Sequence, residues 1–258
     1  MNLGSIQIKN KKILFEKTFG CVRFVYNYYL DIKIPQYQMD QSSLNYTWYA
    51  DDLAKLLKTE DYAFLKEVDC IALKQSLYHL DNDFQDFFRN PAIGFPKFKS
   101  KKANLKSCTT LWINGNVAIK DDVIRLAKVG LVKIELHCPI PSDKLKSVTI
   151  SQSPSEEYYA SILFEYENQA HQQTSQKSIN LVHSMPELSK DPDGKEPKYP
   201  SYYYETEKKL KREKRKLSRM VKGSNNWNKQ RIKVDQIHEK MENQRKDFLY
   251  KQARTDSQ

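Results

Sequence analysis

Residues Lys208 to Lys233 read KKLKREKRKLSRMVKGSNNWNKQRIK. Twelve Lys and Arg stand here against one acid, Glu213, so the net charge is 12 − 1 = +11, equal to that of the whole 258-residue chain. A block of like charge either stays disordered or lies against a polyanion. The spacing of the apolar residues decides between these. Tyr203, Leu210 and Leu217 recur every seven residues, and so do Val234, Met241 and Phe248. Between the two runs, Lys222-Gly223-Ser224-Asn225-Asn226 is a turn signal. The pattern predicts two long helices folded back as a hairpin with a cationic outer surface. A solvated surface helix is the plainer alternative, and repulsion among so many cations argues against it.

The totals agree with a polyanionic partner. At 39% apolar and 29% charged the chain can bury a core, and its length suits one large or two ordinary domains. A pI near 9.2 favours nucleic acid or an anionic membrane. Sixteen Tyr beside the cations suit base stacking, RNA especially, although most are expected in cores or interfaces. Cys21, Cys70, Cys108 and Cys138 form no CxxC pair, which argues against a zinc ribbon or a disulfide framework. No signal peptide or long apolar run is present, so an intracellular protein is expected.

Working back from the hairpin, residues 168–200 are rich in Gln, Ser, Lys and Pro, with one apolar patch at Ile179 to Val182, and read as a boundary. Before them the period is two. Strands are expected at 109–113, 116–120, 123–128, 131–138, 146–152 and 157–166, with Val132, Ile134, Leu136 and Cys138 on one face and Lys133, Glu135 and His137 on the other. Six such strands suggest a small antiparallel barrel. The preceding segment, GFPKFKSKKANLK (94–106), has five Lys and no acid; Phe95 and Phe98 would pin it while the lysines face phosphates.

Val68 to Arg89 is the clearest amphipathic helix. Leu73, Leu77, Leu80, Phe84 and Phe87 form its buried seam, Asp69 suits the N-cap, and Asn90-Pro91 ends it. A short helix is expected over 51–58, starting near Asp51 or Asp52, and a loop or short helix over 34–49 because of Pro35. Phe15, Phe19, Val22, Tyr26 and Tyr29 mark a helix over 13–30, in which Gly20-Cys21 allows close packing against a neighbour. Residues 5–9 alternate as one short strand.

No nucleophile elbow, Walker A or HExxH motif is present. The five His are scattered, and His79 and His238 read as surface or interface residues. Glu187, Asp191 and Asp193 lie in a Pro/Ser/Lys-rich segment and read as a solvated loop.

Four blocks carry a resemblance: FGCVRFVYNYYL (19–30), LKQSLYHLDNDFQDFFR (73–89), GFPKFKSKK (94–102) and KLSRMVKGSNNWNKQRIKVDQIHEKMENQRKDFLYK (216–251). They resemble the TnpB family of transposon-encoded, RNA-guided DNA nucleases, relatives of the type V CRISPR effectors. The resemblance covers Ile13 to Lys251 in family order. It implies an α+β architecture: a wedge strand (1–12), a helical recognition lobe (13–107), an antiparallel wedge β-barrel (108–170) and a truncated RuvC, RNase H-like region (171–258) that carries the basic hairpin.

The departures from the family carry as much. Its first metal-binding Asp lies on a strand between two glycines, shortly before an Asp-Gly turn. Here the turn is Asp193-Gly194, the strand reads Ile179-Asn180-Leu181-Val182-His183-Ser184, and Val182 takes the place of the Asp. Valine offers no oxygen to a hard cation, and two-metal cleavage needs bridging carboxylates. The family's other carboxylates and its zinc ribbon fall beyond Gln258. The resemblance therefore implies a nuclease-dead, TnpB-derived repressor (TldR-type) rather than an enzyme. It would need no catalytic metal and no zinc. Its partners would be a guide RNA and double-stranded target DNA with an adjacent motif, with no membrane and one or two copies per RNA. It would act in the cytoplasm, on the nucleoid.

Family motif contacts map to Tyr46, Cys70, Ile71, Lys74 and Asn114. Lys74 could donate to guanine or thymine edges, and Cys70 and Ile71 could touch thymine methyls; plain helix packing is the open alternative for those two. Phosphates of RNA or heteroduplex would be met by Lys97, Lys99, Lys101 and Lys102, and on the hairpin by Lys208, Lys211, Arg212, Lys214, Arg215, Arg219, Lys222, Lys229, Arg231 and Lys233. Two other functions stay open: an RNA-binding transposon remnant without guided DNA targeting, and a residual nuclease.

Overall fold

A computed structural model describes residues 2–7, 11–40, 46–101, 106–136, 144–165 and 200–255. Lys102, His137, Cys138, Val182, Glu187, Asp191 and Asp193 lie outside the described residues. The chain forms two compact units, residues 1–153 with 157–167, and residues 154–156 with 168–258.

In the first unit the helices are α1 (Lys12–Asp40), α2 (Tyr46–Leu56) and α3 (Cys70–Arg89). The strands are β1 (Asn2–Gln7), β2 (Lys106–Leu111), β3 (Ala118–Lys120), β4 (Val123–Leu126), β5 (Gly130–Ile134), β6 (Leu145–Gln152) and β7 (Tyr158–Phe164). Helix α1 serves two cores. Its first turns bury Phe15 and Phe19 against the sheet, with ring centroids 5.7 and 6.3 Å from Tyr158. Its middle buries Val22, Val25, Tyr26, Tyr29 and Leu30 against α2 and α3.

From α3, Leu73, Leu77, Leu80 and Phe84 fill that second core, as their spacing predicts, and Phe87 is half-buried. Asp69 caps the helix by accepting the Ile71 amide at 3.0 Å, and Asn90 ends it. The Ser76 hydroxyl, buried at the same face, donates to the Val22 carbonyl at 2.8 Å and so ties α3 to α1.

Helix α1 does not stop before Pro35, contrary to the expected loop over 34–49. Proline in a helix interior costs about 3 kcal/mol. Contacts on both sides of it hold the helix instead. Lys33 is buried against Asp81, and Tyr37 packs on Phe87, Phe88 and Phe95 with centroids 5.4 to 6.4 Å apart. Helix α2 likewise begins at Tyr46, ahead of Asp51, because Tyr49 and Leu53 are both buried. A Cβ at Gly20 would meet nothing within 4 Å among the described residues, so Gly20 does not serve close packing against them.

The strands run in the order β2-β6-β7-β1-β5-β4-β3, all pairs antiparallel. Strand β1 joins two small sheets, pairing β7 on one side and β5 on the other, with a register shift between Leu3 and Ser5. No ladder joins β2 to β3 among the described residues, so the expected barrel is not closed. Its two halves still share one core. Ile124, Val132 and Ile134 meet Val148, Ile150 and Ala160, and Phe15 and Phe19 of α1 join the same cluster. A helix thus supplies cover that ring closure would otherwise provide. The alternation predicted for β5 holds, with Val132 and Ile134 buried and Lys133 exposed.

The second unit is the predicted hairpin, α4 (Ser201–Ser218) and α5 (Asn225–Thr255). Leu210, Val234 and Ile237 form its core, flanked by Leu217 and Met241. Gly223 takes φ +88°, which glycine adopts without steric cost, and the Ser224 hydroxyl accepts the Trp227 amide at 3.1 Å to start α5. Among the described residues, no helix is long and apolar enough to cross a membrane.

Candidate nucleic-acid interface

The cap of α3 reaches into the sheet. One Asp69 oxygen accepts the Ile71 amide; the other accepts the Thr110 hydroxyl of β2 at 2.5 Å. The Asn116 side-chain amide continues the chain of bonds, donating to Thr110 Oγ1 at 3.5 Å and to the Leu111 carbonyl at 2.9 Å. Its oxygen accepts the Ile113 amide at 2.7 Å. The N-cap of α3, the end of β2 and the turn after it are therefore linked by one chain of bonds. Asn114 and Gly115 have φ of +49° and +72°, the left-handed pair of an Asn-Gly turn. The Asn114 side chain is exposed.

Along α3, Cys70, Lys74 and Tyr78 are exposed at i, i+4 and i+8, on one helix face. Ile71 beside them is half-buried. The half-buried Tyr46 packs edge-on against Tyr78, centroids 6.1 Å apart. Of the five residues singled out for motif contact, Cys70 and Lys74 share a helix face with Tyr78, which Tyr46 touches, while Asn114 lies in the turn that Asn116 ties to β2.

The basic segment after α3 is fixed in a way its sequence did not indicate. Phe95 does pin it, packing on Phe84 and Phe87 at 5.3 Å. Phe98 instead is exposed. The second anchor is Asn27, whose side chain donates to the Lys99 carbonyl at 2.9 Å and accepts the Lys99 amide at 2.8 Å. The Lys99 ammonium lies 3.7 Å from the Tyr26 ring centroid, a cation–π contact. Although the residue as a whole is exposed, burial of that end pushes its pKa down. Lys99 is thus engaged internally, while Lys97 and Lys101 are exposed.

Lys101 also lines a groove with Lys106 and with Lys12, Lys17 and Arg23 of α1. Glu16 is the one acid in its wall and pairs with Lys106 at 2.7 Å; Lys17 pairs with Glu67. These α1 cations were missed in the sequence. The available signal was the polar stripe Lys12, Glu16, Gly20, Arg23, stepping by four, four and three on an otherwise apolar helix.

On the hairpin, Glu213 is 2% exposed and bonded from all sides. Gln230 of α5 donates to its carboxylate at 2.9 Å and to its backbone carbonyl at 3.1 Å. Lys216 and Lys233 pair with it at 2.9 and 3.3 Å, and Arg212 at 3.5 Å. The Gln230 hydrogen bond, then that of Lys216, holds the carboxyl well below its usual range, at about 2. The lone acid of the basic block thus pins α4 to α5. Lys211 pairs with Glu207 at 2.8 Å, and Arg231 with Asp235 at 2.9 Å. Lys208, Lys214, Arg215, Arg219, Lys222 and Lys229 are exposed and have no carboxylate partner among the described residues.

A family model described as "Probable transposase" matches residues 161–255, and a helix-turn-helix domain model matches residues 9–42. The second match falls largely on α1, which is one unbroken helix. The chain is 29% identical over 242 residues to the "Putative RNA-guided DNA endonuclease" of Streptomyces pristinaespiralis, covering 91% of this chain and 58% of that protein. It is 30% identical over 234 residues to the "Putative RNA-guided DNA endonuclease InsQ" of Escherichia coli K12, covering 90% and 56%. Over 96 residues it is 41% identical to the virulence protein VsdF of Salmonella dublin, covering 34% of this chain and 80% of that one. The chain spans a little over half the length of the two endonuclease relatives.

Proposed function

The chain belongs to the TnpB family of transposon-encoded proteins, and we propose that it binds double-stranded DNA at sites chosen by a guide RNA, holding them without cutting and so blocking transcription. The observation that carries the DNA half of this reading is the Asp69–Thr110–Asn116 chain of bonds. It ties the start of the helix that carries the exposed Lys74 to the strand that leads into the turn with the exposed Asn114. Side chains of these types read base edges in the major groove. Guided recognition of this kind divides the work: protein reads a short duplex motif, and RNA pairing reads the rest.

The RNA half rests on the hairpin. Lys208, Lys214 and Arg215 of α4 and Arg219 at its C-cap are exposed without acid partners among the described residues, as a phosphate-binding surface requires. The groove of Lys12, Arg23, Lys101 and Lys106 is a second place for backbone phosphates. Occupancy without cleavage rests on Val182, which stands where the family resemblance puts the first catalytic carboxylate.

The test begins with the protein purified from host cells and the RNA bound to it sequenced. Duplexes matching that RNA, with randomised flanks, then reveal any adjacent motif. Matched duplex should be retained over mismatched duplex, the retained flanks should share a motif, and Lys74→Ala should lose that preference. Equal retention of matched and mismatched duplex would leave an RNA-binding transposon remnant instead. Guide-dependent nicking in Mg²⁺ would overturn the absence of cleavage. The mass of the complex gives one or two copies per RNA.

A further inference from the structure

Three consecutive apolar residues at the end of β2 stand in water: Leu111, Trp112 and Ile113 are 36%, 49% and 46% exposed. Single exposed apolar side chains are ordinary; a contiguous run marks an interaction site. This run is also held rigidly. The Trp112 amide donates to the Lys146 carbonyl at 2.8 Å, and the Asn116 amide to the Ile113 carbonyl at 3.1 Å. Arg125 donates to the Gly115 carbonyl at 2.6 Å. Trp112 follows the last residue of β2, and its bond to Lys146 extends the β2–β6 ladder by one residue, so alternation puts it on the same face as Thr110, the residue that holds Asp69 at the start of α3. The indole therefore lies on the side of the sheet that the start of α3 meets through Asp69.

We propose that Trp112, backed by Ile113, is a strand-separating wedge for DNA. It stacks on the base pair next to the motif and opens the duplex where guide pairing begins. This rests on the guided DNA-binding reading above. A motif held as duplex and a neighbouring base handed to RNA must be divided at one step. Unstacking that step costs free energy, and an apolar side chain inserted there offsets it. An indole face accepts any base, so the wedge works whatever sequence the guide specifies. Lys74, exposed near the start of α3, supplies the positive charge that keeps the duplex there.

The test uses the complex purified with its own RNA and a matched duplex carrying 2-aminopurine beside the motif, whose fluorescence rises on unstacking. Trp112→Ala should open this duplex about tenfold more slowly, and Trp112→Phe should retain most of the rate. A target whose base pairs beside the motif are mismatched in advance should restore Trp112→Ala to the wild-type rate, which also shows that the variant is folded. Wild-type opening by Trp112→Ala overturns the proposal, as does a loss that the pre-opened target does not repair. A lower complex mass with unchanged opening would assign the patch to a second copy of the chain and likewise overturn it. Equal binding of matched and mismatched duplex by the wild type would instead defeat the guided reading itself.

Discussion

Asp69 accepts the Thr110 hydroxyl at 2.5 Å across 41 residues of sequence while it caps α3 with its other oxygen. One side chain thus joins the start of α3 to strand β2. Asp69→Ala loses a cap and strands a buried hydroxyl. Together these should cost about 2 kcal/mol in urea denaturation. Asp69→Asn keeps an acceptor for the Ile71 amide and should cost less. A loss equal to that of Asp69→Ala would place the stabilisation in the charge rather than the cap.

Lys33 is 1% exposed and pairs with Asp81 at 3.1 Å, its ammonium 4.4 Å from the Phe84 ring centroid. Desolvation pushes its pKa below the ordinary value, against the pull of Asp81. Asp81→Ala leaves the buried charge without its carboxylate and should destabilise by about 3 kcal/mol. Lys33→Met removes charge and cost together and should be much milder. Because the folded pKa lies below the unfolded one, the cost of the stranded charge is largest at low pH. The Asp81→Ala deficit should shrink as pH rises through the depressed pKa. Urea midpoints across alkaline pH check the sign; a deficit independent of pH would count against it.

Glu213 gives the hairpin the opposite pH dependence. Its folded pKa of about 2 lies below the ordinary 4.5, so its contribution is complete above about 4.5 and is lost as pH falls toward about 2. Amide hydrogen exchange along α4 and α5 should therefore accelerate, relative to its intrinsic rate, between those limits. Glu213→Gln should already be loosened at neutral pH and should lack that acid step.

The cations of α4 and its C-cap that have no carboxylate partner among the described residues should set the salt dependence of RNA binding. Changing Lys208, Lys214, Arg215 and Arg219 to Gln should make the log–log salt slope shallower by about 3, from roughly 0.7 per phosphate contact on single-stranded RNA. Lys211→Gln with Arg231→Gln should change it less, since Glu207 and Asp235 already hold those side chains. Equal slopes for both sets would mean that the intrahelical pairs do not restrain them.

Much of the helical framework was legible because it depends on neighbours in sequence. The seam of α3 and its Asp69 cap, the turn at Gly223, and the alternation of β5 are patterns within a few residues. Less of the candidate site was. The Asp69 cap could be named, but not the bond from it to Thr110 or the one from Asn116 that continues it. Lys99 looked like a free cation until its ammonium was found over Tyr26, 73 residues earlier.

The sequence alone determined the seam and cap of α3, the alternation of β5, and the position of the basic block and its turn, because propensity and periodicity act over one or two turns of chain. Only the tertiary structure decided three further things. It carried α1 through Pro35, left the sheet open with α1 joined to its core, and buried Glu213 against Gln230. Each depends on groups distant in sequence, whose packing or hydrogen bonds offset a local preference of a few kcal/mol.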